Sequence, residues 1–173
     1  MNKSAVVLLA LLGAGLLGSC AAIADPPMRP SMSAHSAPEA RAYDEQRDAA
    51  ADVDAALVRA GAGGKNVLIA LGANWCHDSR AFAGWMETPR FAAMLAQRYE
   101  TVFVDVGNPQ QAKGGNLDIA RRFSLADIAG TPTVLIVSPD GTVLNTATAP
   151  GWRNAASRDE DAIYEELSAY LLP

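Results

Sequence analysis

The residues best suited to chemistry in this sequence lie together, where Trp75, Cys76 and His77 stand just before Ser79. A cysteine thiolate is a nucleophile that can attack a disulfide. The apolar run 66–71 that precedes them contains β-branched residues and predicts a buried strand, and the residues after Cys76 are compatible with a helix. Backbone N–H groups at the start of a helix favour the thiolate over the thiol. The sequence therefore predicts a reactive sulfur at the junction of a strand and a helix.

Three neighbours of Cys76 could tune its sulfur. A protonated His77 would favour the thiolate and Asp78 would oppose it, and the two effects roughly cancel near a protein surface. Ser79, about one helical turn along, could donate its hydroxyl hydrogen to the sulfur. We therefore expect the helix dipole to decide how strongly the thiolate form of Cys76 is favoured. His77 could equally be an exposed polar side chain and Ser79 an ordinary residue of a helix start.

Charge and composition exclude several classes of function. The 173 residues carry a formal net charge of -5, and Lys and Arg form no stripe that could follow phosphates, so we expect no nucleic-acid partner. His77 is the only histidine in the predicted domain, so a His/Cys metal site would need ligands from elsewhere. The sequence predicts neither a metal nor a cofactor.

The N-terminus predicts export. Residues 1–19 have a charged start and a short apolar segment of signal-peptide length. The run 17–20 resembles a bacterial lipobox, which would make Cys20 the lipidated first residue of a periplasmic protein, and Ala21 then suggests the outer membrane. The alternative is ordinary cleavage behind Ala24, which would leave a soluble periplasmic protein.

A tether precedes the folded domain. Residues 20–39 are rich in proline and small residues without a period, which predicts a flexible tether, and residues 40–173 form the predicted domain. Cys20 is lipidated or discarded in either route of export, so Cys76 is the single cysteine of the domain. Secreted domains usually pair their thiols, so an unpaired Cys76 favours a functional interpretation over an inert buried thiol.

The remaining pattern predicts an α/β domain. Strands separated by helices predict two parallel strands, and a late strand-turn-strand pattern adds a C-terminal antiparallel hairpin to a central mixed sheet with helices on both faces. In the first half of the domain, the predicted elements are a helix at 40–60 ended by the glycine-rich run 61–64, a strand at 67–71 and a helix that restarts at Pro89. They are followed by a strand at 101–106, a loop at 107–115 and a helix at 116–123. The last elements are a hairpin of 134–137 with 142–145 and a final helix through Ile163, Leu167, Tyr170 and Leu171.

The segment 67–76, its Cys-x-x-Ser step and the run Gly130-Thr131-Pro132-Thr133 resemble the thioredoxin superfamily, and the Trp-Cys-His run is similar to exported members. The resemblance implies a thioredoxin-like fold in which Pro132 is cis and lies against Cys76. It also implies that the Thr131 backbone bonds to an extended substrate, in a groove near Trp75 and Pro132.

Departures from the family pattern all concern its second cysteine. Ser79 replaces that resolving cysteine, so Cys76 cannot close an intramolecular disulfide. The family's buried carboxylate and its lysine partner are replaced by Ala70 and Thr101. Since these groups usually serve the resolving thiol, their joint loss predicts monothiol chemistry.

Three functions follow from this pattern. The first is monothiol thiol-disulfide exchange through mixed disulfides at Cys76 with exported protein thiols or disulfides, or with small thiols. The second is a redox-inactive binding module that holds a peptide or partner near Trp75 and Pro132. The third is a lipoprotein that dimerises through a Cys76 to Cys76 disulfide. In each, the membrane is reached only through the N-terminal lipid.

Overall fold

The structure is a computed structural model, and it describes residues 37–170. The expected signal peptide at 1–19, Cys20 and most of the expected tether lie outside the described residues, as does Leu171 of the last helix. Within 37–170, no helix has both the length and the apolar character needed to cross a membrane.

Helices and strands alternate along the described chain. The helices are α1 (Ala49–Gly63), α2 (His77–Glu87), α3 (Pro89–Arg98), α4 (Leu117–Arg122) and α5 (Glu160–Ser168). The strands are β1 (Asn66–Gly72), β2 (Tyr99–Asp105), β3 (Gly107–Asn108), β4 (Lys113–Gly114) and β5 (Thr133–Val137), and two 3₁₀ segments cover Pro109–Gln111 and Ala149–Ser157.

The main sheet has the order β2-β1-β5. The central strand β1 pairs in parallel with β2 and antiparallel with β5, so that Ile69 lies between Val102 and Leu135. The crossover through α2 and α3 returns the chain to the same end of the sheet, which makes β1 and β2 parallel. This arrangement confirms the predicted α/β fold class with a central mixed sheet.

Helices cover both faces of β1, whose seven residues are all buried. Successive side chains of a strand point to opposite faces, so Ile69 packs under α1 and α4 while Leu68 packs under α2, α3 and α5. On the second face Phe82 meets Trp152 edge to face, with ring centroids 5.2 Å apart. Burying each such side chain contributes about 1.5–3 kcal/mol. The predicted core role of Phe82, Trp85 and Met86 is confirmed.

The first helix is shorter than predicted. It begins at Ala49, where the Asp48 side chain accepts the N–H of Ala51, and not at residue 40. Alanine is favourable in helices, but residues 40–47 instead form long-range contacts described below, and tertiary contacts override a weak propensity. The helix ends as expected, since Gly64 adopts the left-handed conformation (φ 62°) that glycine allows.

The segment 107–115 is more ordered than the predicted loop. It folds into the small hairpin β3-β4 around the 3₁₀ turn. Gly107 has φ +61°, and a Cβ there would lie 2.4 Å from the Lys113 carbonyl oxygen, so this close pairing requires glycine. The turn uses Ala112 in a left-handed conformation that composition did not indicate.

The predicted C-terminal hairpin has a very short return. Val143 forms a single bridge with Val137, and no second strand of this hairpin forms within the described residues. The buried side chain of Asn145 takes over the edge of β5: its Oδ1 accepts the Ile136 N–H and its Nδ2 donates to the Val134 carbonyl, both at 2.8 Å. A side-chain amide thus replaces the pairing that backbone was expected to supply.

Candidate functional site

Cys76 is the residue immediately before α2. Its backbone is extended, and its carbonyl accepts the N–H of Arg80 as the helix begins. The side chain is only 8% exposed, and its thiol donates to the Thr131 carbonyl with 3.1 Å between sulfur and oxygen. The predicted strand-to-helix junction is confirmed, and it leaves the sulfur just below the surface.

The strand β5 brings Thr131 to this sulfur. The Thr131–Pro132 peptide bond is cis, as the resemblance implied. The hydroxyl of Thr133 donates to the Gly130 carbonyl at 2.8 Å, which fixes the turn that enters β5. Because β5 runs antiparallel to β1, its first residues lie beside the end of β1 that leads to Cys76.

Trp75 forms the exposed rim of the site. Its side chain is 54% exposed, and its indole N–H donates to the Gly107 carbonyl at 2.9 Å. This bond holds the segment 107–115 beside the residue that precedes Cys76. Two grooves of about 580 and 610 Å³ lie beside Trp75, and Arg41 and Asn74 line both.

His77 and Asp78 bind other segments of the chain. The Nε2 of His77 lies 3.1 Å from a Glu39 carboxylate oxygen, and Asp78 accepts the Ala156 N–H at 2.9 Å. Asp78 therefore ties the 3₁₀ segment Ala149–Ser157 to the start of α2. Both side chains are bound to other segments, and in the described structure the sulfur contacts Thr131 and neither of them.

Ser79 is fully buried beneath the loop that carries Cys76. Its hydroxyl oxygen accepts the N–H of Ala73 at 3.4 Å. The predicted hydrogen bond from Ser79 to the sulfur is not formed in the described structure, where the thiol instead donates to Thr131. The reason is position: the Ser79 hydroxyl lies beside Ala73 and Gly72.

The segment 38–43, which the sequence divided between tether and helix, is part of the site. The Ala40 N–H donates to the Arg80 carbonyl at 3.0 Å, and Glu39 forms an ion pair with Arg80 at 2.8 Å. The Arg80 hydrogen bond holds the pKa of the Glu39 carboxyl below its ordinary value. A Cβ at residue 84 would lie 2.2 Å from the Pro38 carbonyl oxygen, so Gly84 permits the crossing.

Sequence reasoning missed this segment because it has no helical or strand period. Its strongest link is Asn74, whose Oδ1 accepts the Tyr43 N–H at 3.2 Å and whose Nδ2 donates to the Tyr43 carbonyl. The sequence offered two signals of this contact, Gly84 inside α2 and Tyr43 in a polar stretch. Neither signal identifies its partner.

Tyr43 is the other site residue that the sequence did not indicate. It is 1% exposed, and its ring packs edge to face on Phe103 at 5.3 Å. Burial raises the pKa of its phenol well above the ordinary value, so the hydroxyl keeps its hydrogen at physiological pH.

Among residues 37–170, no three side chains of the types His, Cys, Asp and Glu come together as a metal ion would require. The arrangement offers instead one thiol, one backbone carbonyl and an exposed indole. Such a set can carry out thiol chemistry or hold a peptide.

Comparison with known proteins gives a consistent result. A family model described as thioredoxin-like matches residues 48–139. The crystal structure of a disulphide isomerase from Xylella fastidiosa Temecula1 is similar to this chain, with 31% sequence identity, a TM-score of 0.67, and coverage of 75% of this chain and 96% of that one. No curated protein matches the chain.

Proposed function

This chain belongs to the thioredoxin-like family, and we propose that it is a monothiol thiol-disulfide exchange protein that acts through Cys76. The observation that carries the proposal is the position of the Cys76 sulfur, at the start of α2 and 3.1 Å from the Thr131 carbonyl beside Pro132. The similarity to a disulphide isomerase supports the same class of chemistry.

The proposed reaction has two steps. The Cys76 thiolate attacks one sulfur of a substrate disulfide, the substrate S–S bond breaks, a mixed disulfide forms at Cys76, and the second substrate sulfur leaves as a thiolate. A thiolate from an external protein or small thiol then attacks the substrate sulfur of the mixed disulfide, a disulfide forms between the external thiol and the substrate, and Cys76 leaves as a thiolate. The external thiol is oxidised by the cycle, and Cys76 returns to its starting state. Ser79 stands where the family has its resolving cysteine, so the second thiol must come from outside the domain.

The surface around the sulfur supports recognition of an extended chain. Trp75 gives an exposed apolar side chain beside two grooves lined largely by the segment 39–46 and Asn74, and Thr131 and Pro132 lie just before β5. Exported protein disulfides and small disulfides are the proposed substrates. His77 contributes at most at the rim, because its side chain faces Glu39.

The decisive experiment measures the reaction of Cys76 with a small aromatic disulfide. The protein carries Cys20→Ser, so that Cys76 is the sole thiol, and a variant that also carries Cys76→Ser is the blank. We expect the folded protein to react at least about tenfold faster than the same protein unfolded in urea, because the start of α2 stabilises the thiolate. A folded protein that reacts more slowly than the unfolded one would contradict the proposal.

A binding module without redox activity is the second candidate. The exposed indole of Trp75 beside two grooves favours it, because a single large apolar side chain is a common anchor for a partner. Under this function Cys76→Ser would leave the capture of exported peptides intact and Trp75→Ala would abolish it. Under thiol exchange, Cys76→Ser would remove all mixed disulfides.

Export and lipidation are part of the proposal. We place the protein in the periplasm, held to the outer membrane by a lipid on Cys20, with soluble release behind Ala24 as the alternative. The mass of the mature chain distinguishes the two, since each route leaves a different first residue. Non-reducing electrophoresis tests the dimer joined by two Cys76 residues, which would appear at twice the monomer mass.

A further inference from the structure

The side chain of Tyr43 is buried, and its hydroxyl forms no well-aligned hydrogen bond within residues 37–170. A buried hydroxyl without a partner costs about 1–3 kcal/mol, so such a group usually serves a purpose. Both backbone groups of Tyr43 are held by Asn74, two residues before Cys76. The position of the ring is therefore coupled to the loop that carries the cysteine.

Tyr43 and Ser79 converge on the same point beside Gly72. A Cβ at residue 72 would lie 2.6 Å from Cζ of Tyr43 and 2.7 Å from Oγ of Ser79. The phenol end of the ring and the serine hydroxyl therefore occupy the space that glycine leaves open. The Ser79 hydroxyl is near enough to the phenol to interact with it through a hydrogen bond.

The hydrogen-bonding capacity of Ser79 gives this approach a consequence. A serine hydroxyl has one hydrogen to donate and two lone pairs to accept. The Ala73 N–H occupies one lone pair. If the Tyr43 hydroxyl occupies the second, the serine keeps its hydrogen available and has no further acceptor role.

The sulfur needs such a donor only after it ionises. As a thiol, Cys76 donates to Thr131. As a thiolate it has no hydrogen, and a hydrogen bond to its charged sulfur is about twice as strong as one between neutral groups. Ser79 lies three residues after Cys76, in the first turn of α2.

We propose that Tyr43 is a positioning residue, whose hydroxyl donates to Ser79 so that Ser79 donates to the Cys76 thiolate. The inference rests on the proposed thiol exchange at Cys76 and names the device that prepares the sulfur for it. No atom is transferred between these groups: the thiol proton leaves to solvent, and Tyr43 and Ser79 keep their own hydrogens. A phenol is protonated at neutral pH and can therefore donate its hydrogen.

The test compares Tyr43→Phe with the parent protein, both in the full chain with Cys20→Ser. The substitution keeps the ring on Phe103 and removes only the hydroxyl. We expect the rate of alkylation of Cys76 by iodoacetamide at pH 7 to fall about 3- to 10-fold, with a matching loss of thiolate absorbance at 240 nm. An unchanged rate and absorbance would overturn the proposal.

A matched control separates positioning from folding. Tyr99 is also buried, and its hydroxyl donates to the Leu167 carbonyl at 2.6 Å at the opposite end of the sheet. Tyr99→Phe should lower stability while leaving the alkylation rate and the thiolate absorbance unchanged. If Tyr99→Phe lowers them as much as Tyr43→Phe, the effect is general loosening and the proposal fails.

The double variant tests the route through Ser79. Ser79→Ala should lower the alkylation rate, and adding Tyr43→Phe to it should lower the rate no further, because Tyr43 acts through the serine. Equal losses with and without Ser79 would overturn the route. Alkylation and absorbance involve no substrate disulfide, so a chain that fails to exchange disulfides would refute the proposed function and still report on Tyr43.

Discussion

Two asparagines use the same chemistry in two regions of the molecule. Asn145 closes the edge of β5, where its amide binds the Ile136 N–H and the Val134 carbonyl. Asn74, at the site, binds the N–H and the carbonyl of Tyr43. Each side-chain amide therefore satisfies one backbone N–H and one backbone carbonyl of another segment.

The two asparagines differ in burial and in the segments that they join, and their roles differ accordingly. Asn145 is 2% exposed and reaches residues about ten positions away, so its bonds are part of the core of the scaffold. Asn74 is half-buried and joins segments 31 residues apart, one of which carries Cys76. Water can replace lost bonds at Asn74 more easily than at Asn145. Removing Asn145 should therefore affect stability most, whereas removing Asn74 should affect the thiol.

The largest expected effect is that of Asn145→Ala. It leaves a buried N–H and a buried carbonyl without partners, and we expect the free energy of unfolding to fall by about 2–4 kcal/mol. Denaturant titration measures this loss. The alkylation rate of Cys76 in the folded variant should stay at the parent value. Asn154→Ala is the control, because Asn154 is exposed and should change stability by less than about 0.5 kcal/mol.

Asn74→Ala should have a smaller effect on stability and a larger one on the site. We expect a loss of about 1–2 kcal/mol, because solvent reaches the freed backbone groups of Tyr43. The alkylation rate of Cys76 should fall several-fold, since the tyrosine is no longer held beside Ser79. Denaturant titration and the alkylation rate of Cys76 measure the two effects. A variant that loses stability as Asn145→Ala does while keeping a normal thiol would erase the contrast between the two regions.

The ion pairs of Glu100 should have the smallest effect on the free energy of unfolding. Unlike the contribution of an amide, their contribution should depend on pH. Glu100, 18% exposed in its side chain, pairs with Arg59 at 2.8 Å and Lys65 at 3.0 Å. The Arg59 hydrogen bond, followed by that of Lys65, lowers the pKa of the Glu100 carboxyl. Stabilisation by a carboxyl whose pKa is lowered on folding is complete above its unfolded value and is lost as the pH falls through the folded value.

Glu100→Gln should therefore cost about 0.5–1 kcal/mol at pH 7 and nothing at a pH well below 4. Denaturant titration of parent and variant across this range measures the difference. Between pH 7 and that range, the losses caused by Asn145→Ala and Asn74→Ala should not change, because amides do not titrate. A Glu100→Gln loss that stays constant down to low pH would show that the side chain acts by packing and not by charge.

Much of the fold was predictable because it depends on local patterns. The apolar run of β1, the proline at the start of α3 and the glycine that ends α1 act on neighbouring residues, and β1, the start of α3 and the end of α1 formed where expected. The position of Cys76 before α2 followed from the same patterns. The errors fell on the start of α1, on the hairpin β3-β4 and on the return strand after β5, where side chains from distant residues or left-handed turns decide the backbone.

By itself the sequence determined the fold class and the cysteine at a helix start, and its resemblance to the family predicted the loss of the resolving cysteine and the approach of Pro132 to Cys76. Tertiary structure alone decided that Glu39 and Tyr43 belong to the site, that Asp78 holds the segment with Ala156, and that the thiol donates to the Thr131 carbonyl. The physical reason is range. Periodicity and capping report a residue's own element, whereas hydrogen bonds between residues 31 to 78 positions apart depend on how completed elements pack.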